Sequence, residues 1–208
     1  NKDANSIIAI DLNKKEKIWS FQETRHDIWN LDLASPPILT SLKKNDKIID
    51  VVVSPSKSGN TIILDRLSGK PIFPFLLKKT ETSSVAGEKT ASYQPNLKIP
   101  EPFENIFFGI KDIRKEFQKK FSGNDYEFGW YKTPKLDKLH IRGGMHGGAQ
   151  WPGASIDHNK NIMYVTSNNI AFETGLTLVE NKKSRAPVYL STYQRIQEKE
   201  IYPINKPP

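Results

Sequence analysis

An all-β protein of the propeller class is what this 208-residue sequence predicts, and three stretches carry the prediction. Residues 6–11 (SIIAID), the polar turn Asn13-Lys14-Lys15-Glu16 and residues 17–21 (KIWSF) read as strand, turn, strand. The grammar returns at 61–65 (TIILD), the turn Arg66 to Gly69, and 70–75, and a third time in GASIDHNKNIMYVTSNN. Asp11, Asp65 and Asp157 each precede the turn, and an aromatic (Trp19, Phe73, Tyr164) follows it. Asp11 and Asp65 are 54 residues apart, near the roughly 40–50-residue period of propeller blades. The shared aspartate has a mechanical role: its carboxylate accepts backbone N–H groups of the turn. The aromatic is placed to pack between blades.

In chain order, residues 1–77 make two blade-like repeats. Within them, 22–65 contains QETRHDIWNLDLASPPILT, whose alternating polar positions fit a strand, and IIDVVVSPSKSGNTIILDR. There Lys57 sits in a Pro-Ser-Lys-Ser-Gly turn between two apolar strands, where one side chain is aimed by its scaffold. Residues 78–140 read as a loop-and-helix insertion. A Ser/Thr/Lys/Pro-rich stretch runs to Pro102, and Ile106, Ile110, Ile113, Phe117 and Phe121 then fall on one helical face closed by Gly123. Residues 124–142 read as irregular and aromatic. A further blade hairpin spans 141–179 and opens on IRGGMHGGAQWPG, whose glycines permit close approach to a flat ligand. Residues 180–208 read as an extended connection.

Composition narrows the classes. With 37% hydrophobic and 26% charged residues the chain has ordinary globular content, and no apolar run approaches the roughly 20 residues of a membrane span. The chain opens on NKDANSIIAIDL without a signal-peptide pattern, as expected of a sequence that begins mid-protein or after processing. The net charge of +8 is spread over scattered lysine pairs, not interleaved with aromatics along a face, so no nucleic-acid groove is expected. The absence of cysteine excludes disulfides, thiolate metal sites and a Cys nucleophile. His26, His140, His146 and His158 lack zinc-ligand spacing, and no nucleophile elbow is present. On a strand His26 and Asp27 face opposite sides, which argues against a dyad, while Asn30 and Asp32 share a face with His26.

HDIWNLD, PSKSGN, ILDRLSGKPIFP, Gln94-Pro95 and GGAQWPGASIDHNKNIMYVTSNN, in that order, resemble the pyrroloquinoline-quinone (PQQ) dependent dehydrogenases, and most of all the membrane glucose dehydrogenase type. The likeness is strongest at 5–75 and 141–169. It implies a section, about three to four blades' worth, of an eight-bladed propeller with one inserted helix. Blades of that family are locked by an Ala-x-Asp-x-x-Thr-Gly-x-x-x-Trp docking motif; Ala9, Asp11 and Trp19 match it, with Lys14 and Lys15 in place of Thr and Gly.

The resemblance also implies a chemistry: an alcohol or sugar hydroxyl oxidised by hydride transfer to PQQ, with calcium as Lewis acid and a quinone or cytochrome as electron acceptor, in the periplasm. The family's proton-accepting aspartate falls on Asn30, which retains a carbonyl oxygen for calcium but no basic pKa. Its cofactor-touching cation falls on Lys57, and a polar-Trp pair near the cofactor falls on Gln150 and Trp151. Replacing Asn30's role by Asp32 is expected to need a shifted strand register. The remaining calcium ligands, the tryptophan under the cofactor, the ring-closing blades and any membrane attachment are expected outside this sequence. A second implication is a non-catalytic propeller of PQQ-like repeats serving as a protein-binding scaffold.

Overall fold

The computed structural model describes residues 2–100, 126–128, 131–136, 138–143, 148–167, 171–179 and 188–195, and every regular element among them is a β-strand. The helix expected over 106–121 lies outside the described residues. The chain divides into two compact units.

The first unit holds the described residues of Asn1–Thr80, Ala91–Phe103 and His146–Asn168. Strands β1 (Ser6–Asp11) and β2 (Glu16–Gln22) form an antiparallel hairpin with a bulge at Ala9/Ile10. β3 (Ile38–Lys44), β4 (Lys47–Pro55) and β5 (Thr61–Asp65) form an antiparallel sheet, and a Leu64–Pro71 bridge lays the chain after β5 along its free side. β4 is central, so Val51, Val52 and Val53 are all buried and β-branched residues fill both faces. Short strands β6 (Leu77–Lys79) and β7 (Tyr93–Pro95) pair where the sequence reads as plain loop. A hairpin of β10 (Ala154–Asp157) and β11 (Ile162–Val165) completes the unit. Its core is Ile7, Val52, Ile62, Leu64 and Leu97, with Trp19, Leu33 and an edge-to-face Phe21–Phe75 pair at 4.9 Å packed around it. Burial of each of these aliphatic side chains contributes about 1.5–3 kcal/mol.

All three repeated hairpins carry the expected aspartate device. Asp11 Oδ1 accepts the N–H groups of Asn13 and Lys14, Asp65 Oδ1 those of Leu67 and Ser68, and Asp157 Oδ1 those of Asn159 and Lys160. Four residues after each aspartate the backbone is left-handed, at Lys15 (φ 56°), Gly69 (φ 67°) and Asn161 (φ 54°). Lys15 therefore keeps a geometry that glycine adopts without steric cost. Trp19 docks as expected: its indole N–H donates to the Arg66 carbonyl at 3.1 Å, and its ring lies so close to Gly69 that a Cβ there would stand 2.5 Å from Trp19 Cδ2.

The second unit holds the described residues of Glu81–Thr90, Glu104–Met145 and Asn169–Pro208. Its four-stranded sheet has the order β13-β12-β9-β8, from β8 (Tyr126–Phe128), β9 (Leu139–Gly143), β12 (Ala171–Val179) and β13 (Val188–Arg195). β8 pairs parallel to β9 and the other pairs are antiparallel. Strands thus occupy stretches that the sequence reads as irregular (124–142) and as connection (180–208).

Candidate functional site

Lys57 stands in the Ser56–Asn60 turn joining β4 to β5, closed by Ser56 N–H donating to the Asn60 carbonyl at 2.9 Å and Gly59 N–H to the Ser56 carbonyl at 3.1 Å. Gly59 supplies the left-handed backbone the turn requires, at φ 83°. Lys57 is only 7% exposed, and its ammonium pairs with Asp32 Oδ1 at 2.5 Å. A nearly buried lysine keeps its charge only beside an acid or another acceptor, and Asp32 is that acid.

The segment from Glu23 to Pro37 is not the strand its alternation predicts. His26 (φ 47°) and Asn30 (φ 61°) are left-handed, and the stretch runs as a folded loop. Left-handed residues reverse the local chain direction, so strand alternation no longer decides which side chains meet. Three tethers fix the loop. Gln94, fully buried, accepts the Arg25 N–H with its side-chain oxygen and donates its amide to the Arg25 carbonyl. Asp27 accepts from the Asn5 side chain at 3.0 Å and from the Trp29 N–H at 2.9 Å, one bond to each carboxylate oxygen. Ser35 Oγ donates to the Gln150 carbonyl at 2.8 Å. Trp29 and Leu31 point into the interior, while Asn30 and Asp32 face outward.

Asn30 and Asp32 line one open cavity of about 660 Å³, with Asn5, His26 and Asp27 on its other walls. The expected need for a shifted register is therefore removed: both residues reach this space from a loop. Lys57 meets it through Asp32. Gln150 is half-buried and tied beside the Lys57 turn, since Gly148 N–H donates to the Lys57 carbonyl at 2.9 Å and Ala149 N–H to that of Ser56 at 3.3 Å. Trp151 is 76% exposed and does not line the cavity.

Sequence reasoning missed Glu23. It is 1% exposed, and its Oε1 accepts from Ser58 Oγ at 2.7 Å, Ser56 Oγ at 2.9 Å and Asn60 Nδ2 at 2.9 Å. Burial drives its carboxyl above the usual range; the bonds from Asn60, Ser58 and Ser56 pull it down, and the charge of Asp27 pushes it up. The readable signal was the pattern Ser56-x-Ser58-x-Asn60 between two buried strands, three polar side chains that need an acceptor.

The donor chemistry fits the groups that the resemblance implies. The oxygens of Asn30, Asp27 and Asp32 are hard ligands of the kind calcium takes, and the Lys57 ammonium suits an anionic quinone. Among the described residues no cluster of three or more His, Cys, Asp or Glu is placed to hold a metal.

A family model described as "PQQ: Glucose/ethanol/alcohol dehydrogenase, beta-propeller domain" matches residues 1–207. The glycerol dehydrogenase large subunit of Gluconobacter thailandicus is 29% identical over 81% of this chain and 24% of its own length. Quinoprotein glucose dehydrogenase A of Acinetobacter calcoaceticus is 24% identical over 93% of this chain and 26% of its own. This chain thus spans about a quarter of the length of these relatives. Among solved structures, a europium-containing methanol dehydrogenase superposes on 90% of this chain and 28% of its own, with a TM-score of 0.52 at 18% identity. The quinohemoprotein alcohol dehydrogenase of Comamonas testosteroni covers 83% of this chain and 21% of its own, at 0.51 and 20%. These likenesses fix the fold as a section of a propeller. The chain belongs to the PQQ-dependent dehydrogenase family, as part of its β-propeller domain.

Proposed function

We propose that this section forms one wall of the cofactor site of a PQQ-dependent dehydrogenase that oxidises a hydroxyl of an alcohol or sugar. The observation that carries the reading is Lys57, nearly buried and ion-paired with Asp32 on the rim of the cavity that Asn30 lines. Lys57 would hold the quinone's oxygens, and the carbonyl oxygen of Asn30 would sit toward calcium. When bound, these groups supply the hydride acceptor and the Lewis acid. The chain's own contribution is charge and proton handling. The Lys57 ammonium, held by Asp32, would offset negative charge as it develops on the quinone oxygens. Asn30 has no basic pKa and serves as a hydrogen-bond partner that orients the hydroxyl. Asp32, two residues on in the same cavity, is the carboxylate that receives the hydroxyl proton. Gln150, next to the residues tied to the Lys57 turn, would border the cofactor, with the exposed Trp151 beyond it. A periplasmic location, calcium as the metal, and a quinone or cytochrome as the acceptor belong to the same proposal.

One observation favours a second reading. An amide at position 30, where the resemblance would put the family's proton acceptor, suits a propeller that keeps the scaffold and has given up the reaction, acting as a protein-binding module. Dye reduction by the intact protein, with PQQ and calcium added and a panel of sugars and alcohols, separates the two. The dehydrogenase reading expects turnover that Asp32→Asn abolishes and Asn30→Asp raises. No turnover in the wild type, and none in Asn30→Asp, leaves the scaffold.

A further inference from the structure

Beneath the Lys57 turn lies a buried acid that the reaction does not use. Glu23 follows β2 directly, and its backbone N–H is held by the Asn5 carbonyl at 3.1 Å. From there its side chain reaches under a turn 33 to 37 residues further along the chain. The residues it grips alternate with Lys57: Ser56 and Ser58 flank the lysine, and Asn60 ends the turn. Ser56 Oγ and Ser58 Oγ also lie 2.7 Å apart, and Asn60 Nδ2 donates to Ser58 Oγ at 2.7 Å. The three side chains converge on one oxygen, Glu23 Oε1, while Lys57 extends to Asp32. Glu23 Oε2 is buried and has no hydrogen-bond partner. A carboxyl placed there for packing alone is costly, because desolvating it without full pairing opposes folding.

We infer that Glu23 is a positioning residue for Lys57: its buried carboxyl clamps the Ser56–Asn60 turn so that the lysine ammonium is delivered to Asp32 at the cavity. Glu23 acts through the turn and touches neither substrate nor cofactor. The same clamp steadies the chain beside it, since the Lys57 and Ser56 carbonyls receive the N–H groups of Gly148 and Ala149. The cofactor part of the test rests on the function proposed above; the turn part does not.

The test uses the intact protein in four forms: wild type, Glu23→Ala, Lys57→Ala and the double variant. Hydrogen–deuterium exchange without cofactor reads the turn. Glu23→Ala is expected to speed exchange over residues 54–62 by about tenfold or more, with the β1–β2 turn unchanged. PQQ titration reads the lysine. Glu23→Ala is expected to weaken binding about tenfold in the wild-type background and less than about twofold when Lys57 is already alanine. Glu23→Gln, which keeps an accepting oxygen, is expected to stay within about threefold of wild type. Should Glu23→Ala fail to fold, Ser58→Ala removes one bond of the clamp and gives a smaller version of both effects. Unchanged exchange over 54–62, or equal losses of affinity in the two backgrounds, overturns the assignment. If the wild type binds no PQQ, the cofactor reading fails, while the exchange result still decides what Glu23 does.

Discussion

The turns after Asp11, Asp65 and Asp157 are each held from within. An aspartate at the start accepts the N–H groups two and three residues on, in exposed positions. The Ser56–Asn60 turn is held from afar, by one buried carboxyl drawn from the end of β2. The first kind is a local device repeated wherever a blade hairpin must close, and water stands ready to replace any bond that is lost. The second occurs where a lysine must be held nearly buried, and nothing replaces a lost partner there. Repetition marks the scaffold; a long-range buried acceptor marks the place where direction of a side chain matters.

The largest expected effect breaks the second kind of turn. Glu23→Ala strips the acceptor from three buried donors and is expected to cost about 3 kcal/mol in urea unfolding of the intact protein. Gly69→Ala attacks the joint between hairpins, forcing a side chain into left-handed backbone and against the Trp19 ring, and is expected to cost about 2 kcal/mol. Acidity sharpens the contrast. Because burial raises the Glu23 carboxyl in the folded protein, the folded state holds its proton more tightly than the unfolded chain. The contribution of Glu23 to stability is then fully present below the ordinary glutamate value of 4.5 and is lost as pH rises through the raised folded value. Glu23→Gln should remove that fall, checked by comparing unfolding free energies of the two proteins across the acid-to-neutral range. The smallest effect is a gain: Lys15→Gly relieves left-handed backbone at the first turn and should add about 0.5–1 kcal/mol, seen as a higher Tm.

The scaffold was legible because its signals are local. Asp11, Asp65 and Asp157 announce their turns within three residues, and Trp19 stands at a fixed distance from its aspartate. The Lys57 turn was visible as small polar residues between two apolar runs. The 23–37 loop was not legible. His26 and Asn30 turn the chain by adopting left-handed backbone, which polar residues tolerate without requiring, so the same letters also fit a strand. Glu23 was invisible for another reason: its partners are more than thirty residues away, and no periodicity links them. β6 and β7, three residues each, are too short to show an alternating pattern.

Whether Lys57 meets a bound quinone is tested most directly by equilibrium titration of the intact protein with PQQ, with calcium present, comparing wild type with Lys57→Ala. Saturable binding by the wild type, weakened about tenfold to a hundredfold in Lys57→Ala, is the predicted result. Equal affinity in the two proteins, or no binding in either, contradicts it.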